Sequence, residues 1–191
     1  MQSRPSPQSI GGTLSQTLLR IDPGPPALPE QLVTQSGERF PIASPRRPWT
    51  LVYFGFTTCA TECPLTLATL GEVARNPGSG VAAGATQIVF VSIDPDRDSP
   101  ARLKEYLAQF DTSIIGLTGP RAAIMRYARK IGADSRTTAT GIDHSTSVFV
   151  LNENFRVVGI LLRPANPTQI IADLASLRRD SGGIRYFTAR D

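Results

Sequence analysis

The sequence predicts an α/β fold, a central mixed sheet flanked by helices with an N-terminal extension, and three observations carry that expectation. Two continuous apolar, β-branched and aromatic runs, TLVYFGF at 50–56 and QIVFVSID at 87–94, have the composition of strands buried on both faces. Each precedes a helix start signal, Pro64 after the first and Ser99-Pro100 after the second. Near the C-terminal end, STSVFVLNE (145–153) and RVVGILL (156–162) are joined by a tight Asn152–Phe155 turn, which makes an antiparallel hairpin.

In chain order, residues 1–27 repeat Ser, Pro and Gly and end in Asp22-Pro23-Gly24-Pro25-Pro26, the composition of a flexible tail. Leu14, Leu18 and Leu19 could form one short helical patch within it. The domain is expected over 28–180, followed by a C-terminal tail at 181–191. Within LVTQSGERF, Gln35-Ser36-Gly37-Glu38 has the character of a turn between two short strands. After the first long strand, Leu67, Leu70, Val73 and Ala74 keep helical spacing until Asn76-Pro77-Gly78 stops the helix. Ser99 is placed as N-cap and Pro100 as first residue of a second helix with Leu103, Tyr106, Leu107 and Phe110 on one face. The short IIGLTG run (114–119) precedes a helix over about 120–131, with Ile124, Tyr127, Ala128 and Ile131 inward, and Asn166-Pro167 opens a last helix to about Leu177. Strand, helix, strand, helix, helix, hairpin, helix is the order of a thioredoxin-like sheet.

The 191 residues suffice for one domain of ordinary size with tails. No stretch approaches the ~20 apolar residues of a membrane-spanning helix, and the start, MQSRPSPQSIGG, lacks the apolar segment of a secretory signal. The net charge of +4 comes from 16 acidic and 20 basic residues, of which only Lys104 and Lys130 are lysines. The arginines are scattered, with Arg46-Arg47 and Arg178-Arg179 the only adjacent pairs, so a nucleic-acid partner is not expected.

Cys59 and Cys63 are the only cysteines and His144 the only histidine. Two cysteines exclude a multi-bridge framework and a four-cysteine zinc site. Cys59-Ala60-Thr61-Glu62-Cys63 falls at the carboxyl end of the first long strand and before a helix, where sites form in open α/β sheets. A helix amino terminus favours thiolate, although Glu62 between the cysteines opposes it. Side chains four apart on a regular helix have Cβ atoms about 5–6 Å apart, too far for the roughly 3.8 Å of a disulfide. Pro64 is expected to keep Cys63 non-helical, so that a loop brings the sulfurs together for either a disulfide or one shared soft metal. The alternative is a pair of buried, inert thiols.

A single histidine is, as a type, more often a surface or hydrogen-bonding residue than a ligand. In a thioredoxin-like layout, however, the loop entering the hairpin strand lies beside the cysteines. A redox thioredoxin carries a cis-proline there, and this chain has His144-Ser145. Asp143 is either an outer partner of His144 or a turn former.

YFGFTTCATECPLTL, VSIDPDRDSPARLKEYLAQF, IIGLTG and DHSTSVFVLNENFRVVG resemble successive blocks of the Sco/SenC family, copper-binding proteins of cytochrome c oxidase assembly. The likeness runs in order from about residue 28 to 178. CxxxC alone is a weak signal, whereas CxxxCP with a later DHS histidine is specific in combination. The resemblance implies that Cys59, Cys63 and His144 bind copper. It also implies that full-length relatives are membrane-anchored outside the cytoplasm, on the periplasmic side of the bacterial inner membrane, so that the tail at 1–27 is expected to follow a removed anchor. The implied partners are the copper-receiving subunit of cytochrome c oxidase and, beyond it, other copper chaperones or thioredoxin-like reductants. The sequence departs at Thr58 and Ala60, where relatives commonly read His-Cys-Pro around the first cysteine. Losing that proline loosens the loop and bears on the redox potential more than on the ligands. The donor set agrees chemically: two thiolates and an imidazole suit Cu(I), and accept Cu(II) with an added oxygen ligand.

Two rival activities share these residues. One is a thiol-disulfide oxidoreductase in which Cys59 and Cys63 form a redox-active disulfide and act on oxidase cysteines. The other is a thiol peroxidase, which needs an arginine at the reactive thiol, with Arg126 as candidate. Asp94-Pro95-Asp96-Arg97-Asp98 lacks the Gly and distal Glu of a calcium loop and is expected to be structural. Gly78, Gly80 and Gly84 follow a helix and miss the spacing of a nucleotide loop.

Overall fold

A computed structural model describes residues 18–40, 49–79, 86–133, 135–138, 141–144, 146–164 and 166–181, with the backbone alone for 135–138, 141–144 and 178–181. In chain order the elements are β1 (Leu18–Arg20), β2 (Val33–Thr34), β3 (Trp49–Gly55), α1 (Glu62–Arg75), a 3-10 turn (Pro77–Ser79), β4 (Thr86–Ser92), α2 (Pro100–Leu107), β5 (Ile115–Thr118), α3 (Arg121–Ile131), β6 (Ser135–Thr138), β7 (Gly141–His144), β8 (Val148–Asn152), β9 (Val157–Leu161) and α4 (Pro167–Ser181).

Seven strands form one mixed sheet in the order β1-β9-β8-β3-β4-β5-β2. The β3–β4 and β4–β5 pairs are parallel; β8 lies antiparallel to both β3 and β9. β3 and β4 read as unbroken apolar runs because helices cover both sides of them. Trp49, Leu51, Tyr53, Ile88 and Phe90 face one core with α1, α2 and α4. Val52, Phe54, Val89 and Val91 face a second core with α3 and the 27–40 segment.

The punctuation signals act as chemistry requires. Ser99 Oγ accepts the Arg102 N–H at 3.2 Å and Pro100 is the first residue of α2. Asn166 Oδ1 accepts the Gln169 N–H at 3.2 Å and so caps α4. Asn152 closes the hairpin turn, its Oδ1 accepting from the N–H groups of Asn154 and Arg156. At Gly37 a φ of 82° completes the turn after β2. IIGLTG supplies β5, a strand of the main sheet.

Two expectations change, for residues 18–27 and for Phe110, and one hairpin is added. Residues 18–27, assigned to the tail from their composition, run along the sheet: β1 pairs with β9, the Ile21 N–H donates to the Val158 carbonyl at 3.0 Å, and Ala27 is fully buried. Leu18 and Leu19 are therefore strand residues, and the packed unit begins before residue 28. The antiparallel hairpin β6–β7, its register matching Ser135 to His144, is an additional element between α3 and β8. Phe110 lies past the end of α2 but still packs on Tyr106, with ring centroids 5.3 Å apart. The 182–191 part of the C-terminal tail lies outside the described residues.

Candidate metal centre

At the end of β3 the chain passes through Phe56 and Thr57 into a turn closed by the Cys59 N–H, which donates to the Phe56 carbonyl at 3.2 Å. α1 starts at Glu62, so Cys59 precedes the helix and Cys63 is its second residue. The expectation that Pro64 holds Cys63 out of the helix is thus overturned. Pro64 falls in the first turn, where backbone N–H groups have no partner within the helix, so its ring removes no helical hydrogen bond. The sulfurs are not four apart on one helix, because only one of them is helical.

Thr61 occupies the N-cap position but makes no side-chain cap. In its place the Cys63 N–H donates to Cys59 Sγ at 3.4 Å. The sulfur of one cysteine therefore sits at the positive end of the helix that carries the other. No disulfide joins the pair; Cys59 is partly exposed and Cys63 fully buried. Burial pushes the Cys63 thiol up to about 12; the Tyr53 hydroxyl and the Phe56 backbone oppose that rise, and Cys59 adds to it. Burial thus raises the Cys63 thiol, whereas a helix terminus alone is expected to favour thiolate.

Residues distant in sequence hold the loop. Asp98 is fully buried; its carboxylate accepts from the Thr57 N–H at 3.0 Å, the Thr57 hydroxyl at 2.6 Å and the Ser92 hydroxyl at 2.6 Å. Arg102 Nε donates to Thr57 Oγ1 at 3.3 Å. Gly55 leaves room for Cys63: a Cβ there would stand 2.8 Å from the sulfur. Asp94 pairs with Arg97 at 3.0 Å and Asp96 with Arg121 at 2.6 Å, so the acidic run is structural, as expected.

Asp98, Arg102, Gly55 and Tyr53 carry no functional signal in the sequence. Asp98 stands beside an N-cap serine and is indistinguishable from an ordinary helix-start acid. Arg126, the peroxidase candidate, is on α3 under the opposite face of the sheet and donates to Gln31 Oε1 at 2.6 Å. Among the described residues, Arg102 is the arginine whose side chain bonds the cysteine loop, through Thr57.

His144 ends β7. Because Val148 pairs with Tyr53 in an antiparallel register, the chain enters β8 at the edge of the sheet where it leaves β3 for the cysteine loop. The side chains of Asp143 and His144 lie outside those described. Among the described side chains, no three of His, Cys, Asp or Glu gather as a metal cage. Two thiolates are donors of the kind that suits a soft ion such as Cu(I), and His144 stands four residues before Val148, the first residue of β8.

This is a thioredoxin-like domain with a pair of cysteines at its central strand-to-helix mouth. The sequence profile of the SCO1/SenC family matches residues 28–179. The chain belongs to that family. It is 32% identical over 149 residues to the SCO2-like protein of Rickettsia felis, covering 74% of this chain and 71% of that one. The solved structure of Bradyrhizobium japonicum ScoI with copper bound superposes with a TM-score of 0.67 at 30% identity, over 76% of this chain and 95% of that one. Yeast Sco1 with copper bound gives a TM-score of 0.66 at 27% identity, over 83% and 88%.

Proposed function

We propose that this protein carries copper for assembly of the copper centre of cytochrome c oxidase, holding Cu(I) or Cu(II) through Cys59, Cys63 and His144. The observation that carries the reading is the paired cysteines, one sulfur accepting the backbone N–H of the other cysteine. Family membership and the copper-bound relatives support the choice of metal. The receiving partner is the copper subunit of the oxidase, and the place of action is the extracytoplasmic side of the bacterial inner membrane, with the full-length protein anchored there. No described helix is long and apolar enough to cross a membrane.

Copper binding requires thiolates, so a Cys59–Cys63 disulfide and bound copper exclude each other. The test is copper stoichiometry in the reduced and air-oxidised protein side by side, with optical spectra. One copper per reduced chain, a thiolate-to-Cu(II) charge-transfer band and no uptake after oxidation are expected. Equal uptake by both forms overturns the shared-sulfur site.

A second reading, a thiol-disulfide oxidoreductase acting on oxidase cysteines, is favoured by the unequal burial of the pair. Cys59 is reachable while Cys63 is enclosed, which suits an attacking and a resolving thiol. Turnover of a mixed disulfide through Cys59, without copper, distinguishes it.

A further inference from the structure

Two tyrosine hydroxyls in the core that holds Cys63 are buried, and neither has a well-formed hydrogen bond among the described residues. Tyr53 is fully buried and Tyr106 is 7% exposed. Phe90 lies between them, its ring centroid 6.0 Å from that of Tyr53 and 6.2 Å from that of Tyr106.

The strand register explains why Tyr53 meets this sulfur. Residues two apart on a strand share a face, so Tyr53 and Gly55 both look toward α1. Gly55 leaves a slot that Cys63 Sγ fills, one side-chain place along the strand from the Tyr53 ring. Tyr53 and Cys63 belong to one buried cluster, and the hydroxyl lies within reach of the Cys63 sulfur and of Thr66. A neutral thiol is a weak acceptor, and among the described residues the hydroxyl makes no well-formed bond to it. A charged sulfur is a strong acceptor, and it would give this hydroxyl the partner it lacks. Phenylalanine would fill the same space without leaving a buried polar group.

We infer that the Tyr53 hydroxyl is a positioning donor, turning its hydrogen onto the Cys63 sulfur when that sulfur is a charged copper ligand. The inference rests on the copper reading above. Hydrogen bonds to a metal-bound sulfur withdraw electron density from the metal, which favours Cu(I) over Cu(II) and lifts the couple's potential. Tyr53 thereby favours retention of Cu(I) on the reduced pair.

The test compares Tyr53→Phe with Tyr127→Phe, a hydroxyl deletion in the core under the opposite face of the sheet. Each full chain is loaded with Cu(II); the charge-transfer band, the Cu(II)/Cu(I) potential and the Tm of the metal-free protein are recorded. Tyr53→Phe is expected to move the band to longer wavelength and lower the potential with no loss of Tm, while Tyr127→Phe leaves band and potential in place. An unchanged band and potential in Tyr53→Phe, or an equal shift in Tyr127→Phe, overturns the inference. So does a loss of Tm without a spectral change, which would make Tyr53 purely structural. A normal wild-type band with an unaltered variant removes this inference alone. Absence of copper uptake by the wild type removes the copper reading and this inference with it.

Discussion

Leu18 occupies the space a side chain on Gly159 would need: its Cδ1 lies 2.9 Å from the position of a Cβ at that glycine. β1 is thus fitted to β9 by side-chain packing as well as by the pairing of Leu18 with Leu161 and Arg20 with Gly159. Deleting residues 1–24 is expected to cost about 1–2 kcal/mol, from the lost burial of Leu18. In a protein of this size each kcal/mol lowers the Tm by roughly 2–4 °C. An unchanged thermal melt would show that β1 adds nothing to the folded state.

Gly55→Ala sets a Cβ 2.8 Å from both Cys63 Sγ and Phe90 Cε2. Overpacking of this kind costs about 1–3 kcal/mol. The displaced sulfur should also weaken copper retention in competition with a chelator. Gly24→Ala, with nothing within 4 Å, is expected to change neither urea midpoint nor copper retention.

Asp98→Asn keeps the shape but substitutes one acceptor oxygen and an NH2 group for a carboxylate that accepts three hydrogen bonds. A loss of about 2 kcal/mol is expected, the scale of hydrogen bonds to a charged group. Because Thr57 anchors the loop, Cys59 should react faster with an alkylating reagent. Unchanged alkylation with lowered stability would confine Asp98 to a structural role.

Replacing His144 by Ala should abolish a stable Cu(II)–thiolate band and leave some Cu(I) binding, because two thiolates alone can hold Cu(I). Disulfide formation between Cys59 and Cys63 needs no imidazole and should survive. An unaltered Cu(II) spectrum would take His144 out of the ligand set.

Alkaline pH should destabilise the reduced, metal-free protein. The folded Cys63 thiol is raised from 9.0 to about 12, and burial raises the Tyr127 phenol from 10.0. Above about pH 9 the unfolded chain releases protons that the folded chain retains, so unfolding becomes favourable as pH rises. Full stability is expected below that value, with the urea midpoint falling steadily from pH 9 toward 12. Cys63→Ala should flatten the first part of that fall.

Much of this architecture is legible in the sequence wherever a local rule agrees with the tertiary environment. β3 and β4 are apolar throughout because both faces are covered. Ser99-Pro100 and Asn166-Pro167 mark helix starts through capping that involves only near neighbours. β1 is not legible: three residues in a Ser/Pro/Gly-rich stretch gain strand character only from β9, well over a hundred residues away. Cys63 departs from its expected non-helical geometry because the restriction on residues before proline yields when the proline occupies a first helical turn. The cysteines announce themselves by scarcity and spacing. Tyr53, Gly55 and Asp98 act through positions on neighbouring strands and loops, which no spacing rule records.

The double hold of Asp98 on Thr57 has a consequence for protein engineering. Grafting Cys59-Ala60-Thr61-Glu62-Cys63 onto another scaffold would transplant both sulfurs and the start of a helix. It would leave behind the carboxylate that grips the loop from forty-one residues away and the glycine that accommodates the second sulfur. The portable unit is larger than the motif: the ends of two adjacent parallel strands together with the beginnings of the helices that follow them.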